Sequence, residues 1–102
     1  MTVETEIWDP AERLGTVEAQ QAYLADALED GDPALIVAVI GDIARARGMT
    51  EIARSAGTCR EVLYKSFRLG GNPTIKTLSQ VVEALGYRIT FEKTDEKETE
   101  AA

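Results

Sequence analysis

The chain has 102 residues, is 44% hydrophobic and 28% charged, and carries a net charge of −7. That length suits one domain around one core, and the composition is that of a globular chain. There is no histidine and a single cysteine, Cys59, which excludes Ser-His and Cys-His nucleophile pairs, a zinc cluster and an internal disulfide.

Other classes fall away on local grounds. The Gly70-Gly71 doublet is not a spaced phosphate-binding loop, and no Asp/Glu pair stands out from the general acidity. The expectation is a non-enzyme with no catalytic residues, cofactor or metal. No apolar run nears the ~20 residues of a membrane span, so no membrane partner is expected. The start, MTVETEIW, is acidic rather than basic and then apolar, unlike a signal peptide. With one unpaired cysteine, this points to the reducing cytoplasm.

Residues 1–6 are polar, and Ile7-Trp8 form an apolar pair ahead of Asp9-Pro10. Asp9 can cap a short helix over 10–14, with Pro10 at its first position and Gly15 after it. Trp8 is expected to tether the arm to the domain or to a partner. Thr16 caps a second helix to about residue 29, with Ala19, Tyr23, Ala27 and Val17, Leu24, Leu28 at helical spacing. Asp32-Pro33 repeats the cap-plus-proline device and starts the longest helix, to about Arg47. Its first half, ALIVAVI, is apolar nearly all round and predicts a central buried helix. Gly48 ends it, and Arg45 and Arg47 in the last turn complement the helix dipole.

Residues 50–67, TEIARSAGTCREVLYKSF, then read as two short helices about a turn at Gly57. Ala53 allows close backbone approach, Gly57 supplies the turn, and Leu63 and Phe67 anchor the second helix. A helix-turn-helix of this kind sets its second helix in the DNA major groove, although the same spacing suits plain helical packing. After the loop 68–73, Thr74 caps a helix to about residue 85, with Ile75, Leu78, Val81, Val82 and Leu85 facing inward. In 87–93, YRITFEK, the residues Tyr87, Ile89 and Phe91 alternate with polar ones and predict a strand. A lone strand leaves its backbone unsatisfied, so it must pair with the N-terminal segment, its own copy or another protein. Residues 94–102 read as a charged, disordered tail. The domain is therefore 1–93: an arm 1–15, a helical core 16–86 and the strand 87–93.

Charge is segregated along the chain. Residues 1–42 hold ten acids and one base, Arg13. Residues 43–76 hold seven bases, Arg45, Arg47, Arg54, Arg60, Lys65, Arg68 and Lys76, against Glu51 and Glu61. The basic middle suits phosphates, and the acidic front suits a basic protein.

The run GDIARARGMTEIARSAGTCREVLYKSFRLGGNPTIKTLSQVVEALGYRI, with WDPAERL and ALEDGDPALIVAVIGDIARARG upstream, closely resembles the addiction-module antidote proteins, a branch of the Xre/HigA-like helix-turn-helix antitoxins. The resemblance covers about residues 7–92; GDIARARGMT, LYK and GGNPT together make it specific. It implies a mainly α, phage-repressor-like helix-turn-helix bundle, here with extra N-terminal helices and the short C-terminal strand. It also implies binding to a RelE/ParE-type toxin of the same operon, and repression of that operon. Two positions depart from the pattern. Cys59 opens the recognition helix where serine is usual, a weaker cap by up to ~1 kcal/mol. Glu51 replaces a phosphate-bracing glutamine, and can instead pair with Arg54 or favour the helix N-terminus.

On the second helix Arg60, Glu61, Tyr64 and Lys65 lie away from Leu63 and Phe67. Arg60 would read guanine N7 and O6, Glu61 would accept from cytosine N4, and Tyr64 and Lys65 would meet a base edge or phosphate. A plain Glu61–Lys65 surface pair is the competing reading. Thr50, Thr58, Asn72, Thr74 and Lys76 stand at helix starts or in the loop, where they suit phosphate, although each singly can be a simple cap. Operator DNA with an inverted repeat calls for a homodimer, and Trp8, Tyr87, Ile89 and Phe91 are candidates for the dimer or toxin surface. Two alternatives stay open: a stand-alone phage-type regulator without a toxin, and a helical hairpin that binds only protein.

Overall fold

The computed structural model describes residues 10–95, so Ile7, Trp8, the Asp9 cap and the segment 96–102 lie outside the described residues. A 3-10 helix, Pro10–Arg13, leads into five α-helices: α1 Val17–Asp30, α2 Pro33–Arg47, α3 Met49–Ala56, α4 Arg60–Ser66 and α5 Ile75–Ala84.

Local chemistry sets the boundaries. Thr16 Oγ1 accepts from the Ala19 amide at 3.1 Å, and Asp32 Oδ1 accepts from Ala34 at 3.1 Å ahead of Pro33. Thr74 Oγ1 accepts from Thr77 at 3.1 Å. Each such cap stabilises its helix by about 1 kcal/mol. Gly57 closes α3 at φ +74°, a left-handed conformation that glycine adopts without steric cost.

The helix α2 is the hub of the packing. It meets the 3-10 helix, α1, α3 and α4, while α5 closes against α3. Ile43 of α2, Leu63 of α4 and Val81 of α5 are the largest fully buried side chains. Burying each contributes about 1.5–3 kcal/mol. Ala53 and Phe67 are also buried, as the turn-and-anchor reading of 50–67 requires.

Polar contacts fix the N-terminal helices on this core. Buried Gln20 donates to the Leu14 carbonyl at 2.9 Å and accepts from Arg47 Nε at 2.8 Å, while Arg47 also donates to the Leu85 carbonyl at 3.0 Å. Tyr23 donates to Asp42 at 2.7 Å, and Asp42 pairs with Arg45 at 3.2 Å.

Several expectations fail. No strand forms among the described residues: the chain at 87–93, with Tyr87, Ile89 and Phe91, is extended and unpaired. Alternating apolar residues satisfy a sheet only where a second strand exists, and the described fold supplies none. The first half of α2 is not the buried part; its buried residues run from Val39 to Ala44, while Leu35 is exposed. Val17, Leu28 and Ile75 keep helical spacing yet are exposed, because no other described element covers those helix ends.

Candidate functional site

The exposed chemistry collects on and around α4. Its inner face is fixed by Leu63, with Phe67 buried just beyond the helix, so Arg60, Glu61, Tyr64 and Lys65 all stand in solvent. The Arg60 guanidinium sits over the Tyr64 ring, 5.6 Å from its centroid. A cation on an aromatic face costs little to hold there and leaves the guanidinium fork available.

The start of α4 differs from a serine-capped helix. Cys59 makes no side-chain cap bond. Instead the Glu61 carboxylate accepts hydrogen bonds from its own backbone N–H and from the Cys59 thiol, and with the nearby Arg60 charge these hold its carboxyl below the usual carboxylate range. Glu61 therefore stays ionised and acceptor-only. No ion pair joins Glu61 to Lys65 among the described residues. Glu51 pairs with Arg54 at 3.7 Å with both side chains 73% exposed, a contact of little energetic weight.

The other candidates divide by role. Thr50 is exposed in the first turn of α3, and Thr58 is half-buried in the turn, its amide donating to the Ala53 carbonyl at 2.9 Å. Asn72 and Lys76 are exposed on either side of the α5 start. Thr74 is a working cap whose hydroxyl also donates to Thr77 at 3.1 Å, so its proton is committed within the helix. Tyr87 is half-buried, while Ile89 and Phe91 are exposed in the extended segment remote from α4 in sequence.

Two of the seven middle bases are engaged by other groups of the domain. Arg45 is held by Asp42, and Arg47 by Gln20 and the Leu85 carbonyl. Arg54, Arg60, Lys65, Arg68 and Lys76 are exposed, as is Arg47 in spite of its two hydrogen bonds. Arg68 was missing from the expected site; its Nε donates to the Lys65 carbonyl at 3.1 Å, which holds it at the end of α4. Its place in a basic run was the available signal. Nothing in the sequence marked Gln20 as a buried bridge.

Fold and surface together define a small helical domain that displays a cationic, aromatic helix face on an otherwise acidic chain. The chain belongs to the family described as "Probable addiction module antidote protein", whose model matches residues 4–93. An uncharacterized protein of Haemophilus influenzae is 42% identical over 93 residues, covering 91% of this chain and 96% of that protein. No solved structure matches the chain significantly.

Proposed function

We propose that this chain is the antitoxin of a type II toxin-antitoxin module, acting by binding alone and without catalysis. It neutralises a RelE/ParE-like toxin by direct contact, and it represses its own operon by binding operator DNA as a homodimer. Family membership supports the antidote role. The observation that supports DNA binding is the exposed α4 face: Arg60 over Tyr64, with Lys65 on the same helix and Arg68 held to the Lys65 carbonyl.

In this reading α3 and α4 form the helix-turn-helix, and α4 lies in the major groove. Arg60 donates bidentately to guanine N7 and O6, ionised Glu61 accepts from cytosine N4, and Tyr64 and Lys65 continue along the groove. Cys59 opens the recognition helix. Thr50, Thr58, Asn72, Thr74 and Lys76 line the phosphate backbone and set register rather than sequence. The toxin meets the acidic front half, whose ten acids and single base up to residue 42 suit a basic partner.

The test is growth. Inducing the toxin gene adjacent to this chain's gene is expected to arrest growth, and co-expression of the chain is expected to restore it. Arrest that persists despite soluble, expressed chain would overturn the antitoxin reading. Operator binding without any toxin to neutralise would instead favour a stand-alone regulator.

A further inference from the structure

After α5 the described chain ends in an extended run whose backbone is unused. Residues 88–93 make no hydrogen bond among the described residues. The run borders an open, largely apolar groove of about 450 Å³ between α1, α2 and α5. Leu28, Ile75 and Phe91 flank this groove and are 55%, 72% and 94% exposed. The Tyr87 hydroxyl is buried beside it without a hydrogen-bond partner among the described residues. A free extended edge over apolar surface is a template for another strand.

We propose that a second copy of this chain covers that edge, residues 87–93 of the two copies pairing antiparallel about a two-fold axis at Thr90. In this register Thr90 faces Thr90, Ile89 faces Phe91, Arg88 faces Glu92 and Tyr87 faces Lys93 of the other copy. Symmetry makes each unlike pair twice. Opposite charges meet on one face, and on the other Ile89 meets Phe91 while Tyr87 meets the Lys93 stem, pairs of the kind that stabilise a ladder. Neighbouring registers lose it. Centring on Ile89 sets Glu92 opposite Gly86, and centring on Phe91 sets Ile89 opposite Lys93.

The same residues argue for a copy over a basic partner. Arg88 and Lys93 outnumber Glu92, so the run carries a net charge of +1 and repels a basic partner, unlike the acidic front half. Pairing also gives Phe91 and Ile89 each an apolar neighbour. The biological use of this dimer rests on the operator-binding reading above, since an inverted repeat needs two helices related by a two-fold axis. The pairing itself needs neither DNA nor toxin.

Disulfide trapping on the full-length chain tests it. With Cys59→Ser removing the native thiol, Thr90→Cys is expected to form a covalent dimer readily in a glutathione redox buffer. Arg88→Cys is expected not to, because its two copies lie about 13 Å apart in this register, beyond the ~7 Å a disulfide allows between Cα atoms. Light scattering on the wild type is expected to report twice the 11.1 kDa chain mass. Glu92→Arg should weaken the dimer by about tenfold, and adding Arg88→Glu should restore it. A monomeric wild type, a dimer indifferent to the charge swap, or equal trapping at positions 88 and 90 would each overturn the proposal. So would a Phe91→Ser variant that loses toxin neutralisation with its mass unchanged, which would give the groove to the toxin. A trapped Thr90 dimer that binds neither operator nor toxin would support the pairing and sink the functional reading instead.

Discussion

The carbonyl oxygen of Phe67 lies directly over Gly41, where any Cβ on residue 41 would collide with it. Gly41 is buried in the middle of α2, and Phe67 caps the end of α4. This contact sets how deeply the end of α4 sits on the hub helix, and so how its outer face is aimed.

Gly41→Ala should therefore destabilise the fold. Replacing a glycine inside a helix ordinarily stabilises it by about 1 kcal/mol. Here overpacking should reverse the sign, with a net loss of about 1–3 kcal/mol. A Cβ at Gly15 would meet nothing within 4 Å among the described residues, so Gly15→Ala is the control and should be near neutral. Urea unfolding followed by circular dichroism reads both. A Gly41→Ala variant as stable as the wild type would mean that α4 moves freely on α2.

Gln20 ties three segments through one amide, and its loss should be felt at each of them. Gln20→Ala strands the Leu14 carbonyl and one donor of Arg47, at a cost of about 1–3 kcal/mol. Arg47→Lys should not substitute, because a single ammonium lacks the planar fork that serves Gln20 and the Leu85 carbonyl together. Amide hydrogen exchange at residues 14–20 in the two variants checks this; unchanged protection would contradict it.

The capping arrangement at α4 carries a pH signature. Glu61 has its carboxyl lowered by its own N–H, the Cys59 thiol and Arg60. A lowered carboxyl stabilises the fold at pH above its unfolded value, and that contribution disappears as pH falls through the folded value. Loss of α4 helicity in acid should follow the Glu61 titration. Cys59→Ala should move the Glu61 titration upward by removing one donor, read by side-chain carboxyl NMR shifts. Cys59→Ser should restore an oxygen cap and stabilise the helix by up to ~1 kcal/mol.

Lys76 separates positioning from reading. Lys76→Ala should weaken DNA binding evenly across sequences and reduce the salt slope by about one. Binding measured at several salt concentrations on specific and unrelated duplexes checks it. A change in sequence preference would move Lys76 from the phosphate backbone to a base.

What the sequence made legible were features with local causes. Thr16, Asp32 and Thr74 cap the helices assigned to them, and Gly57 turns the chain as expected, because caps and left-handed turns depend on only a few neighbouring residues. The outward set on α4 followed from the inward pair Leu63 and Phe67. The failures are tertiary. Periodicity gives Ile75 and Leu28 the same standing as Leu78 and Ala27, but only the neighbouring elements decide which are covered. The alternation of Tyr87, Ile89 and Phe91 reported a surface able to form a strand, not the presence of a partner strand. Charge counting placed Arg45 and Arg47 with the other cations, while Asp42 and Gln20, outside that stretch, engage them.

Base reading by Arg60 is the central claim, and fluorescence anisotropy on a duplex from the chain's own promoter tests it most directly. Wild-type chain should bind that duplex in preference to an unrelated one, with affinity falling as salt rises. Arg60→Ala should lose about 1–3 kcal/mol of specific binding and become indifferent to one base pair in each half-site. An Arg60→Ala chain that keeps the full sequence preference of the wild type would contradict the account.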